Sequence, residues 1–258
     1  MAIKRFILIF LLSFSTLFSQ ELRIITNEEP PTNYKENTEI VGITVDVVKE
    51  LIKVQNLDTK IEFMTWARAY NIGKTNKNIA LFTAGKTYQR IEEGFKFLGP
   101  IITKNAVLYK RANNDIEINS LLDISKNKLK IGAMRGDWRA DFFRKKGFDV
   151  QEVSNHEQNI RKLNMGRFDL WAISEIEAQF IAQKADIKMS QIKVAYAFKE
   201  ISSFIMFSKG TSKQTIRAWE KAYKDLQKTD FFHKTARKWS RILNINLVYD
   251  RNKGFLIK

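Results

Sequence analysis

Leu129-Lys-Ile-Gly-Ala-Met134, Trp138 to Lys146 with Gly147, and Asp149 to Val153 form the stretch that decides the fold. An apolar run short enough for a strand leads into a helical segment. Gly147 stops the helix, and a second strand follows. Reading downstream, Asn155 to Asn164 is a helix closed by Gly166, Leu170 to Ile173 a strand and Glu175 to Lys184 a helix. Upstream, Leu22 to Thr26 is a strand. Val45 to Val54 is an amphipathic helix with Val47, Val48, Leu51 and Ile52 on one face. Lys60 to Phe63, Ile79 to Phe82 and Ala106 to Tyr109 are further strands, the middle one apolar enough for burial on both faces. Ile192 to Tyr196 and Ser203 to Phe207 are strands, and Thr211 to Gln227 and Phe231 to Leu243 end the chain as helices. Repeated strand–helix–strand units predict an α/β fold with mainly parallel sheets covered on both faces. Polar Arg111 to Asn119, with Asn113-Asn114-Asp115 as a loop signal, divides the units into two series and therefore two lobes. Such a molecule places small molecules in the cleft between lobes, beside the carboxyl ends of the strands.

Met1 to Gln20 sets the compartment. Lys4 and Arg5 precede an apolar run from Phe6 to Phe18, and Ser19 and Gln20 follow. This is the layout of a secretory signal peptide (1–20), and the run is short for a membrane span. No Cys follows it, so no lipid anchor is expected, and the mature protein is predicted to be soluble in the periplasm. The absence of Cys also excludes disulfides, thiolate nucleophiles and Cys-metal sites. His156 and His233 are the two histidines, too few for a His-based metal site or triad, and their polar neighbours place both on the surface. The formal charge is +16, but Lys and Arg are spread along the chain. The balance reads as a Lys-rich solvated surface, with loose attraction to an anionic envelope surface as the alternative, and not as a nucleic-acid binder.

Five ordered patterns carry a resemblance. Leu22-Arg-Ile-Ile-Thr-Asn-Glu-Glu-Pro-Pro31 with Tyr34, Gly42-Ile-Thr-Val-Asp-Val-Val-Lys-Glu-Leu51 and Thr65-Trp-Ala-Arg-Ala69 are the first three. Thr87-Tyr-Gln-Arg90 followed by Phe95-Lys-Phe-Leu-Gly-Pro100, and Gly166-Arg-Phe-Asp169, complete the set. Together they resemble the extracellular solute-binding proteins of family 3, the amino-acid type. The resemblance implies a type II periplasmic-binding-protein fold. Each lobe is a mixed, mainly parallel sheet flanked by helices, and two hinge strands join them. Lobe one is expected at 21–109 and 204–258 and lobe two at 110–203, with crossings at Ala106 to Lys110 and Ser203 to Lys209.

By the same resemblance, Arg90 pairs with a solute carboxylate, which a guanidinium fork grips in bidentate fashion. Gly85 stands where Ser or Thr is usual and offers its N–H, and Thr83 adds a hydroxyl. Trp66 matches an aromatic wall that can also pack as core, and Arg68 is its neighbour. Arg135, Asp137 and Trp138 occupy a turn at a helix N-terminus, where Asp137 is either a ligand residue or a plain N-cap. Two positions depart from the pattern. Ser174 stands where an Asp meets the α-amino group, with Glu175 beside it, and Glu29 replaces an aromatic before Pro30-Pro31. Glu29, Asp137 or Glu175 is left to supply negative charge, unless the solute lacks an α-amino group.

The implied function is capture of a small polar or carboxylate-bearing solute by hinge closure. The expected partner is an ABC permease or a sensor receptor, and the expected state a monomer without cofactor, metal or catalytic role. Two alternatives share the fold. One is a dehydratase or lyase using Glu29 and Glu175 as a carboxylate pair across the cleft. The other is an accessory module with a degenerate cleft.

Overall fold

The structure, a computed structural model, describes residues 22–258; the signal segment read at Met1 to Gln20 lies outside the described residues. Strand β1 (Arg23–Thr26) runs into a loop, a small hairpin of β2 (Tyr34–Glu36) and β3 (Glu39–Val41), and helix α1 (Ile43–Val54). Then come β4 (Ile61–Phe63), α2 (Trp66–Thr75), β5 (Ile79–Gly85), α3 (Tyr88–Glu92) and the long β6 (Lys96–Arg111). The second series is α4 (Leu121–Lys126), β7 (Ile131–Met134), α5 (Trp138–Arg144), β8 (Val150–Val153), α6 (His156–Asn164), β9 (Leu170–Ser174) and α7 (Glu175–Lys184). A second long strand, β10 (Ile192–Phe207), leads to α8 (Lys213–Leu226), α9 (Phe231–Leu243), β11 (Leu247–Asp250) and β12 (Gly254–Ile257).

The strands lie in the order β4-β1-β5-β10-β6-β9-β7-β8. β4, β1 and β5 are parallel to one another, as are β8, β7 and β9. Between these two groups, β6 and β10 pair antiparallel from Ile192 opposite Arg111 to Phe207 opposite Lys96. This ribbon is shared. Leu98, Ile101, Ile102, Ile205 and Phe207 pack with α1, α8 and α9 in one core. Val107 and Tyr109 pack with α6 and α7, and Leu108 packs with α4 and α5. Thr103 to Asn105 thus separate the part of β6 that belongs to one lobe from the part that belongs to the other. Val107 to Tyr109, assigned by sequence to lobe one, pack in the cores of lobe two.

The mainly parallel, two-lobed α/β architecture follows from the apolar pattern. α1 buries Val47, Val48 and Leu51 against β1 and β5, and Ile79 to Ala84 are buried on both faces. Sequence reading found only pieces of the long strands: Ala106 to Tyr109 of β6, and Ile192 to Tyr196 and Ser203 to Phe207 of β10. Their burial changes along their length, because each leaves one core and enters another, and no single alternation persists. One close approach needs glycine. A Cβ on Gly132 of β7 would lie 2.1 Å from the buried Phe168 ring.

Candidate functional site

β1 and β5 are adjacent and parallel, so the loops leaving their carboxyl ends open on the same edge of lobe one. The loop after β5 reaches α3, where Thr87 accepts a hydrogen bond from the Arg90 N–H and caps the helix. Arg90 folds back from this helix, and its Nη1 donates to the Gly85 carbonyl at 2.5 Å. Its guanidinium carbon lies 4.7 Å from the Trp66 ring centroid and 5.2 Å from that of Tyr70. Trp66 and Tyr70 sit four apart on α2, which puts them on one helix face, and their rings stack at 5.7 Å. The Tyr70 hydroxyl donates to Glu93, which also pairs with Lys74 at 3.1 Å. Burial lowers the Arg90 pKa, Tyr70 and Glu93 oppose it, and a guanidinium stays charged regardless. Among the described residues no carboxylate lies within ion-pair distance of Arg90. The result is a half-buried cation on an aromatic platform, which favours it through the ring quadrupole.

The loop after β1 carries Glu29, fixed by its N–H to the Asn33 carbonyl at 2.7 Å. Its carboxylate pairs with the buried Lys104 of β6, in the zone between the two cores. Burial pushes the Glu29 pKa up, Lys104 opposes this, and the Glu177 carboxylate adds to the rise. A lobe-two charge therefore acts on a lobe-one group.

Glu177 belongs to a buried network in lobe two. Ser174 ends β9 and caps α7: its hydroxyl accepts from the Glu177 N–H and donates to Oε2 at 2.7 Å, a capping box. Asp137 caps α5 by accepting from the Arg139 N–H at 2.8 Å. The Arg139 guanidinium reaches Asp137 at 3.0 Å and Glu177 at 2.6 Å, joining the starts of α5 and α7. Behind it, His156 Nε2 lies 3.7 Å from Asp137, and His156 Nδ1 accepts from Trp171 Nε1 at 3.2 Å. Burial raises the Glu177 pKa, but Arg139, Lys104 and His156, with the Ser174 hydrogen bond, outweigh it and bring the group down to about 2.

The structure thus brings Trp66, Gly85 and Arg90 together, and separates or engages the other residues singled out by sequence. Thr83 is buried at a bulge between β5 and β10, with φ +66°; its hydroxyl donates to Asn33 and lies 3.3 Å from that of Thr44. That set of side chains ties the β5 end to α1. Arg68 is exposed and its charge acts on Glu62, away from Arg90. Arg135 is exposed. Trp138 packs beside Phe198, 6.1 Å between centroids, under Lys199. Asp137 is an N-cap and ion-pair partner, and Ser174 is taken up by its own helix start. Glu175 accepts from Asn105 at 3.1 Å and faces the hinge strands, while Glu29 pairs with the neighbouring Lys104. His156 corrects the surface expectation: it is 8% exposed, held by Trp171, while His233 is exposed. Sequence reading missed Lys104, Arg139 and Glu177. Only Ser174-x-x-Glu177, a capping-box spacing, signalled one of them.

The model of the bacterial extracellular solute-binding proteins, family 3, matches residues 22–242. The chain belongs to this family. The arginine-binding extracellular protein ArtP of Bacillus subtilis (strain 168) is 22% identical to this solute-binding protein over 213 residues, covering 81% of each chain. Among solved structures, a mutant of the arginine-binding protein ArgBP from T. maritima superposes with a TM-score of 0.68 at 18% identity, covering 86% of this chain and 96% of that one. A histidine kinase sensor domain similar to periplasmic binding proteins gives 0.69 at 13% identity, covering 84% and 95%. A substrate-binding protein of an ABC uptake transporter from Streptococcus pneumoniae with bound histidine gives 0.65 at 14%, covering 84% and 91%. These likenesses establish the type II periplasmic-binding-protein fold. Among the described residues of this solute-binding protein, no helix is long and apolar enough to cross a membrane.

Proposed function

We propose that this chain, exported by Met1 to Gln20, captures a small carboxylate-bearing, amino-acid-like solute between its lobes. Arg90 receives the carboxylate, and Trp66 forms the wall beside it. One observation carries this reading: the Arg90 guanidinium lies over the Trp66 ring, and among the described residues no carboxylate is paired to it. One Nη1 donor is engaged by the Gly85 carbonyl, but ring stacking consumes none of the five in-plane donors, and a carboxylate accepts a bidentate pair from such a fork. Gly85 flanks it at the strand end. The solute names carried by the relatives, arginine and histidine, are amino acids and agree with that chemistry.

Closure follows from where the partners sit. A solute held by lobe one gains its remaining contacts only when lobe two approaches, so binding favours the closed arrangement. The closed form is then what an ABC permease or a sensor receptor recognises. Glu29 and Glu175 have separate partners, so catalysis by that pair finds no support. Thermal unfolding in the presence of amino acids, amines and small carboxylates tests the reading, since a ligand bound to the folded state raises the midpoint by mass action. A stabilising carboxylate whose effect vanishes in Arg90→Ala supports it. An unchanged shift in that variant overturns the assignment of Arg90.

A further inference from the structure

Lobe one carries a second feature, set apart from the cleft. Residues 213–241 hold nine Lys and Arg against three Asp and Glu, a net of +6 out of the +16 of the whole chain. All nine cations are exposed. On α8 and just beyond it they fall at Lys213, Arg217, Lys221, Lys224 and Lys228, spacings of three and four that line one helix face. The opposite face buries Trp219, Tyr223 and Leu226. On α9, Lys234, Arg237, Lys238 and Arg241 oppose the buried Phe232, Ala236, Trp239 and Leu243 in the same way. The two helices share one core, and Tyr223 meets Phe232 ring to ring at 5.4 Å. Both helices therefore turn their cationic faces outward from the same core, joined end to start where Tyr223 meets Phe232.

We propose that this α8–α9 face docks the protein on an anionic phospholipid bilayer surface. The composition selects the occupant. Six of the nine cations are Lys, compact charges on flexible stems that suit a diffuse field of phosphates better than fixed bidentate partners. A specific protein interface needs a desolvated apolar or aromatic centre. On these two helices the exposed large hydrophobic residue is Ile242, at the end of α9. Each Lys or Arg near an anionic membrane contributes ~1 kcal/mol, about fivefold in partitioning, and salt screens it. A surface of this kind holds the protein near the membrane whether or not its cleft is filled.

The test is co-sedimentation of the signal-cleaved chain with vesicles of phosphatidylcholine alone or with a quarter phosphatidylglycerol, at low and at roughly physiological salt. Lys213, Arg217, Lys224, Arg237 and Arg241 form no ion pair with a carboxylate among the described residues, so replacing all five by Gln leaves the salt bridges intact. We expect binding to the anionic vesicles only, weakened by salt, and at least tenfold weaker in the five-site variant. A control set on lobe two (Lys126, Lys128, Lys130, Lys145 and Arg167 to Gln) removes the same charge and should change binding less than twofold. Equal loss in both sets would mean net charge alone acts, and would overturn the proposal. So would equal binding to neutral vesicles, or binding to polyglutamate without binding to anionic vesicles, which would point to an acidic polypeptide. Circular dichroism and the thermal midpoint of each variant confirm that it is folded.

Discussion

Replacing Glu177 by Gln removes one carboxylate from the buried network while keeping its shape. In the folded protein this group sits at about 2 against an ordinary 4.5. At 1.36 kcal/mol per pH unit, that difference amounts to about 3 kcal/mol of stability. The folded pKa is depressed, so the contribution is present above the unfolded value near 4.5 and is lost as pH falls toward 2. Removing one partner of a buried ion pair commonly costs ~3–5 kcal/mol. Glu29 pulls the other way. Its pKa is raised partly by Glu177, so the variant relieves some strain there, and the lower end of that range is expected. Urea unfolding followed by Trp fluorescence should show Glu177→Gln about 3 kcal/mol less stable at pH 7. At pH 3 the gap should shrink to about 1 kcal/mol, because most of the wild-type contribution has gone by then. A gap of the same size at both pH values, or one under ~0.5 kcal/mol at pH 7, would refute the reasoning.

Ser174→Ala removes the N-cap of α7 and a hydrogen bond to Glu177, and should cost ~1–2 kcal/mol in the same urea assay. Gly132→Ala forces a Cβ to 2.1 Å from Phe168 in a closed core, and should lower stability by ~1–3 kcal/mol or more, read as a fall in the thermal midpoint. Gly85→Ser should be tolerated within ~0.5 kcal/mol, since its Cβ meets only the Arg90 Nη1, at 3.7 Å; a loss above 1 kcal/mol in urea would contradict the geometry.

The alternation of short apolar runs with amphipathic helices was enough to read the α/β class and most elements, because each core strand and helix carries its own period. β7, α5 and β8 sit almost where their apolar pattern ends. Helix α2 went unread because its exposed Arg68, Asn71 and Lys74 dilute a narrow buried face of Ala69 and Gly73. Trp66 and Arg90 were legible through short motifs, but their contact was not: it depends on α2 and α3 meeting across the end of β5. Arg139 and Glu177 were hidden for a different reason. A charge one turn inside a helix ordinarily faces water, and only the three-dimensional meeting of two helix starts turns these two into buried partners. Trp171 of β9 likewise determines the setting of His156 on α6.

The ribbon of β6 and β10 has a mechanical consequence. Both strands are anchored at each end in separate cores, so any change of angle between the lobes is absorbed over 103–105 and the facing 200–202. That short span is braced by side chains: Thr103 to Ser202 at 2.8 Å, Asn105 to Glu175, Lys253 to Glu200 at 2.7 Å, and Lys104 to Glu29. Bending there stretches or releases these braces together. The flexing segment is in effect a sprung joint whose resting angle these four pairs of polar groups help to set, and softening any one of them should retune how readily the jaw opens.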